Sequence, residues 1–130
     1  MVKKFRIGNP FDTEAVVSEI EISGIKDFPL QLSLTEKAEV KFSIDTDDMV
    51  FGLGEAVRGI NKRGWIYESW CSDETNHTED KRSLYGAHNF IVVSGKEKFG
   101  LFVDYPSRVV WDIGYTEPSE CVITLDTADA

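Results

Sequence analysis

The chain has 130 residues, 42% of them hydrophobic and 12% aromatic, which fits one domain with a core of its own and excludes a disordered tail. Against 14 lysines and arginines stand 23 aspartates and glutamates, a formal net charge of −9. A field of that sign repels phosphate backbones and anionic lipid headgroups, so nucleic-acid and membrane partners are not expected.

In chain order, the N-terminus Met1-Val2-Lys3-Lys4-Phe5-Arg6 is basic, but Asn9-Pro10-Phe11-Asp12 interrupts before any apolar run. No signal peptide is therefore expected, and a cytoplasmic location follows. Apolar stretches are only a handful of residues long, far short of a membrane span. Cys71 and Cys121 stand 50 positions apart with no C-x-x-C spacing, which reads as two free thiols in a reducing compartment. Between Thr13 and Ile22 a short helical start competes with the strand formers Val16, Val17, Ile20 and Ile22.

From there the dominant period is two. Leu30-Gln31-Leu32-Ser33-Leu34 and Val40-Lys41-Phe42-Ser43-Ile44 alternate cleanly, and Trp65–Glu68, Phe90–Val93, Phe99–Asp104, Val109–Ile113 and Cys121–Leu125 carry β-branched and aromatic weight. Turn chemistry separates them at Asp45–Asp48, Ser94-Gly95-Lys96 and Asp104-Tyr105-Pro106-Ser107. Many short strands at such spacing predict an all-β sandwich or barrel. One segment breaks the rhythm: Cys71 to Arg82 is polar throughout, and reads either as a functional excursion or as disorder.

Most candidate chemistry fails on spacing. Gly52-Leu53-Gly54-Glu55 opens like a dinucleotide fingerprint, but Val57 stands where the third glycine belongs and no helix follows, so a tight turn is the better reading. A calcium loop starting at Asp45 would need Gly at 50 and Glu at 56, where the chain has Val50 and Ala56. His77 and His88 match no zinc spacing, and no serine lies in a G-x-S-x-G elbow. Asn76-His77-Thr78 is formally a glycosylation sequon, without weight in a chain lacking a secretory signal. Two carboxylates will fall near each other by chance in so acidic a domain, so no catalytic pair is read. Neither metal nor cofactor is expected.

Four motifs in one order, between Val50 and Tyr115, carry a resemblance. Phe51-Gly52-Leu53-Gly54-Glu55 resembles the "(Y/F)GLGE" strand-turn of glycoside hydrolase family 31. Asn61-Lys62-Arg63-Gly64, Tyr67 and Trp70-Cys71-Ser72-Asp73 are similar to its "RRG…Y…W-x-x-D" stretch. Leu84-Tyr85-Gly86-Ala87-His88-Asn89-Phe90 resembles its "LYxSHPF" segment, with Asn89 in place of the proline. Phe99–Pro106 followed by Asp112-Ile113-Gly114 is similar to its "FGxFxDxxxxxxxDxG" hairpin.

The resemblance implies a β-sandwich of the galactose-mutarotase-like (supersandwich) type, residues 1–130, preceding a catalytic (β/α)8 barrel in a retaining α-glucosidase-like hydrolase. A barrel takes about 250 residues and carries both catalytic aspartates, so the 130 residues are expected to be an inactive piece, truncated at the C-terminal end of the sandwich. In the family a loop of the sandwich shapes the sugar pocket. The matching carboxylate is Asp73, expected to accept hydrogen bonds from an α-glucoside. Trp70 is a weaker substrate-binding candidate, its bland reading being a core or bracing residue. Expected partners are the barrel of the same polypeptide and a further copy of the fragment, through an exposed, partly apolar barrel-facing surface. A stand-alone carbohydrate-binding or interaction module is the alternative. A mutarotase-type epimerase would need paired histidines in one groove, and the chain has two histidines in all.

Overall fold

Alternation becomes eight strands in the computed structural model, which describes residues 5, 7–9, 30–34 and 36–129. The segment from Thr13 to Ile22 lies outside the described residues. The strands are β1 (Gln31–Leu34), β2 (Ala38–Ser43), β3 (Met49–Gly54), β4 (Trp65–Ser69), β5 (Ala87–Ser94), β6 (Lys98–Phe102), β7 (Val109–Ile113) and β8 (Glu120–Leu125). Every pairing is antiparallel, in one five-stranded sheet of order β1-β2-β8-β7-β4 and one three-stranded sheet of order β3-β5-β6. The two sheets face each other, as the all-β sandwich expectation requires.

Register explains why this packing holds. Val40 pairs with Ile123, Ile123 with Trp111, and Trp111 with Tyr67, so one inward row crosses four strands. All four side chains are buried, and each contributes about 1.5–3 kcal/mol of burial relative to exposure. The adjacent row runs Phe42, Cys121, Ile113 and Trp65. From the other sheet Val50, Leu53, Ile91 and Val93 close the core, and Phe99 meets Phe42 edge-on at 5.4 Å between ring centroids.

Strand β3 departs from the sequence pattern. Gly52-Leu53-Gly54 reads as a tight turn, yet the three residues continue the strand through a bulge with φ of 126°, 66° and 76°. A Cβ on Gly52 would lie 2.2 Å from the Phe90 carbonyl oxygen, so only glycine lets β3 approach β5 this closely. The bulge turns Leu53 inward, where it is buried despite its left-handed backbone.

The acidic turn folds on itself: Asp48 donates its N–H to the Asp45 carbonyl, and the Asp48 carboxylate accepts from the Asp45 N–H. That arrangement uses Asp45 and Asp48 as turn formers. Arg63, from the second motif, reaches from β4's approach to two other loops. Its two terminal nitrogens donate to the Asp45 and Pro118 carbonyls, each at 2.6 Å. Asn61 accepts from the Val50 and Arg63 N–H groups, while the Asp112 carboxylate caps the turn at Tyr115 and Thr116.

Candidate functional site

The polar excursion grows out of β4. Ser69 is buried and accepts a hydrogen bond from the Trp111 indole N–H at 3.2 Å, fixing the end of the strand against the core. Beyond it the chain leaves the sheet at Trp70, meets the core again at the buried Leu84, and enters β5 of the other sheet at Ala87. Both ends are stapled. Glu68 N–H donates to the Arg82 carbonyl at 2.8 Å, and Ser72 N–H to the Leu84 carbonyl at 3.0 Å. Glu68 also holds Arg108 through a two-point contact at 2.9 and 3.0 Å, with Arg82 3.9 Å away.

Of the two readings of this segment, order prevails. Lys81 Nζ bonds Glu74 Oε2 at 2.8 Å, spanning the loop. The Glu74 carbonyl meets His77 Nε2 at 2.9 Å, Lys81 N–H donates to the Thr78 carbonyl, and Thr78 donates to Asp80. His77 packs edge-on against Tyr85 at 5.6 Å. The Lys81 bond, seconded by the Asn76 N–H, holds the Glu74 carboxyl below its ordinary value, and the same bond raises Lys81.

Asp73 stands at the head of this loop, exposed, its carboxylate without a hydrogen-bond or ion-pair partner among the described residues. A carboxylate in that state has its acceptor sites free for hydroxyl donors. Trp70 departs from the bland core reading. It is 50% exposed, because the inward positions of this stretch are Tyr67 and Ser69 and the indole lies past the strand's end. It forms one wall of an open cleft of about 350 Å³, with His88, Asn89 and Tyr105 on the others. Asp73 is not among the residues that line this cleft.

His88, Asn89 and Tyr105 are cleft residues that the site reading did not select. Asn89 was visible as a departure from the third motif; its amide donates to the Tyr105 carbonyl at 2.7 Å. Tyr105 in turn donates to Asp126 at 2.7 Å, which raises the phenol's pKa. Arg58 was also unselected, and no sequence signal marks it. Among the described residues no group of three or more His, Cys, Asp or Glu side chains gathers where it could hold a metal ion, and no helix is long and apolar enough to cross a membrane.

Comparison with known proteins bears on what this arrangement belongs to. The family model described as "Glycosyl hydrolase 31 N-terminal galactose mutarotase-like domain" matches residues 18–112. An alpha-glucosidase of Saccharolobus solfataricus is 28% identical over 130 residues, covering 95% of this chain and 19% of its own length. A Flavobacterium johnsoniae GH31 dextranase, complexed with isomaltotriose, superposes with a TM-score of 0.68 at 22% identity, over 75% of this chain and 12% of the dextranase. A cycloalternan-degrading enzyme from Trueperella pyogenes gives 0.62 at 18% identity, over 71% and 14%. The chain thus spans about a fifth of the length of the curated relative it matches. With two antiparallel sheets, four motifs in order and a family match over most of its length, the chain belongs to glycosyl hydrolase family 31, as its N-terminal galactose mutarotase-like domain.

Proposed function

We propose that residues 1–130 are the N-terminal sandwich of a longer, retaining α-glucosidase-type hydrolase, whose catalytic (β/α)8 barrel is supplied elsewhere in the same polypeptide. The domain packs on that barrel and lends the 71–82 loop to the sugar pocket, with Asp73 accepting hydrogen bonds from substrate hydroxyls. The observation that carries this reading is the loop itself: an ordered excursion, bonded to β4 at Arg82 and closed at its base by Ser72 and Leu84. Its exposed carboxylates without a partner among the described residues are Asp73, at the position of the W-x-x-D motif, and Glu79. The alpha-glucosidase, dextranase and cycloalternan-degrading relatives support an α-glucoside as the substrate class.

The barrel-facing surface is proposed to be the outer face of the three-stranded sheet. Met49, Phe90, Val92 and Phe102 are exposed there, with Phe90 and Phe102 paired across β5 and β6. The three strands carry no carboxylate in a chain of net charge −9, and Lys98 is their one charged residue, a charge depletion that fits an interface. The isolated domain should accordingly self-associate. A cytoplasmic location is supported by its two free cysteines, Cys71 exposed and Cys121 buried in the core.

The test is hydrolysis of a p-nitrophenyl α-glucoside by the 130-residue chain and by the longer polypeptide. The short chain is expected at background and the long one active. Asp73→Ala in the long form should lower kcat/KM by about 10–100-fold, the worth of hydrogen bonds to a charged group. Turnover by the short chain would overturn the reading. Tight saccharide binding by the short chain, without turnover, would favour a stand-alone binding module instead.

A further inference from the structure

The geometry points to Arg58 as the positioning residue that ties the 71–82 loop down onto the sheet, an inference that rests on the reading of Asp73 as a substrate contact. Arg58 lies in the connection between β3 and β4 with φ at 71°, a left-handed conformation uncommon outside glycine. Its side chain makes two contacts that account for holding it there. The guanidinium carbon sits 3.5 Å from the centroid of the Trp65 ring, and Nε donates to the Glu79 carbonyl at 2.6 Å, 21 positions along the chain. Trp65 is itself braced by Tyr115, edge-on at 5.0 Å.

These contacts differ in kind from the others that order the loop. The bonds from Glu68 and Ser72 hold its two ends at the far end of β4. The Glu74–Lys81 pair and the Thr78–Asp80 bond close the loop on itself, and His77 rests on Tyr85 in the segment that precedes β5, so none of these ties the loop to a strand. Arg58 joins the loop's outer part to the first residue of β4 through a flat cation stacked on a fixed indole. A strained backbone aimed at a neighbouring loop is the kind of outlier that surrounding contacts must hold in place. The planar guanidinium is needed for both contacts, since lysine has neither the stacking plane nor the Nε–H. Arg58 touches no candidate sugar contact itself. It acts by fixing the loop that carries Asp73.

The test uses the longer polypeptide with Arg58→Gly and Arg58→Lys. Glycine accepts the left-handed backbone without strain and removes only the side chain, so loss of folding does not confuse the result. Lysine keeps the charge and loses the plane. Both variants should speed amide hydrogen exchange within residues 71–82 while leaving β7 and β8 unchanged. Both should raise KM about five-fold with little change in kcat, the size of one misplaced hydrogen bond. Combined with Asp73→Ala, Arg58→Gly should add nothing further, because the two act through the same contact. Unchanged loop exchange would overturn the inference, as would an equal rise in KM with and without Asp73, or full rescue by lysine. If Asp73→Ala is silent while Arg58→Gly still speeds loop exchange, the reading of Asp73 falls and the tether stands.

Discussion

Glu55 and Gly86 grip each other at two points. The Glu55 N–H donates to the Gly86 carbonyl at 2.7 Å, and the Glu55 carboxylate accepts from the Gly86 N–H at 3.1 Å. The first and third sequence motifs are thereby one structural unit, because the bulge at Gly52–Gly54 brings the end of β3 onto the residue that opens β5.

That unit is expected to fail at Gly52 before it fails at Glu55. Gly52→Ala places a methyl group 2.2 Å from the Phe90 oxygen, and backbone atoms cannot step aside as a side chain would. The expected loss is about 3–5 kcal/mol, a large share of the stability of a domain this size. Glu55→Ala, at an exposed position, should cost no more than about 1 kcal/mol. Urea unfolding followed by tryptophan fluorescence compares them, and equal midpoints would contradict the packing argument.

Arg63 should behave as a clamp between loops. Arg63→Ala removes charge-assisted bonds to Asp45 and Pro118, an expected loss of about 2 kcal/mol. Arg63→Lys should recover less than half of that, since a single ammonium cannot reproduce the two-pronged donor geometry. Thermal unfolding of the three proteins gives the order directly; a lysine variant as stable as the wild type would refute it.

Loop order should have two pH edges. Glu74 is depressed in the folded chain, so the Lys81 bond contributes fully above the ordinary carboxylate value of 4.5 and fades as pH falls through the lowered one. Lys81 is raised, so the same bond contributes fully below its ordinary 10.5 and fades as pH rises through the higher value. Asp80, lowered by its bond from Thr78, adds to the acid edge. Limited proteolysis within residues 71–82 should therefore accelerate on both sides of a flat interval, and Glu74→Gln should remove most of the pH dependence.

The two thiols should react very differently. Burial pushes the Cys121 thiol up to about 12, with the nearby Asp112 adding to the shift, while Cys71 is exposed. At pH 8 a thiol reagent is expected to modify Cys71 in the folded protein and both cysteines after denaturation. Rapid labelling of two thiols without denaturant would mean that β8 opens far more readily than its core position implies.

What the sequence disclosed follows from which interactions leave a periodic trace. Val40 and Phe42 alternate with polar neighbours, and the strands of Trp111, Ile113 and Ile123 are dense in β-branched and aromatic residues, so all three strands were legible within a residue or two. Strand β3 was not, because its bulge replaces alternation by three residues of positive φ. The polar excursion was legible as a segment, and its order was not, since the staples at Glu68 and Ser72 are made by backbone groups. Arg63 matched a motif, yet its partners are carbonyls 18 and 55 positions away that carry no side-chain signature. For Trp70 the core reading rested on bulk, and the strand's parity gives that place to Ser69.

The stapled base of the 71–82 loop separates its design from that of the sandwich. One backbone bond holds Arg82 against Glu68 of β4, a second joins Ser72 to Leu84, and between Cys71 and Lys81 no side chain is buried in the core. Length and composition there can change while the sheets keep their register, as loop-closure entropy grows only slowly with added residues. The loop is in that sense an exchangeable cassette. Grafting a relative's version between Trp70 and Leu84 would exchange the loop without rebuilding the scaffold beneath it, provided an arginine at position 58 comes with it.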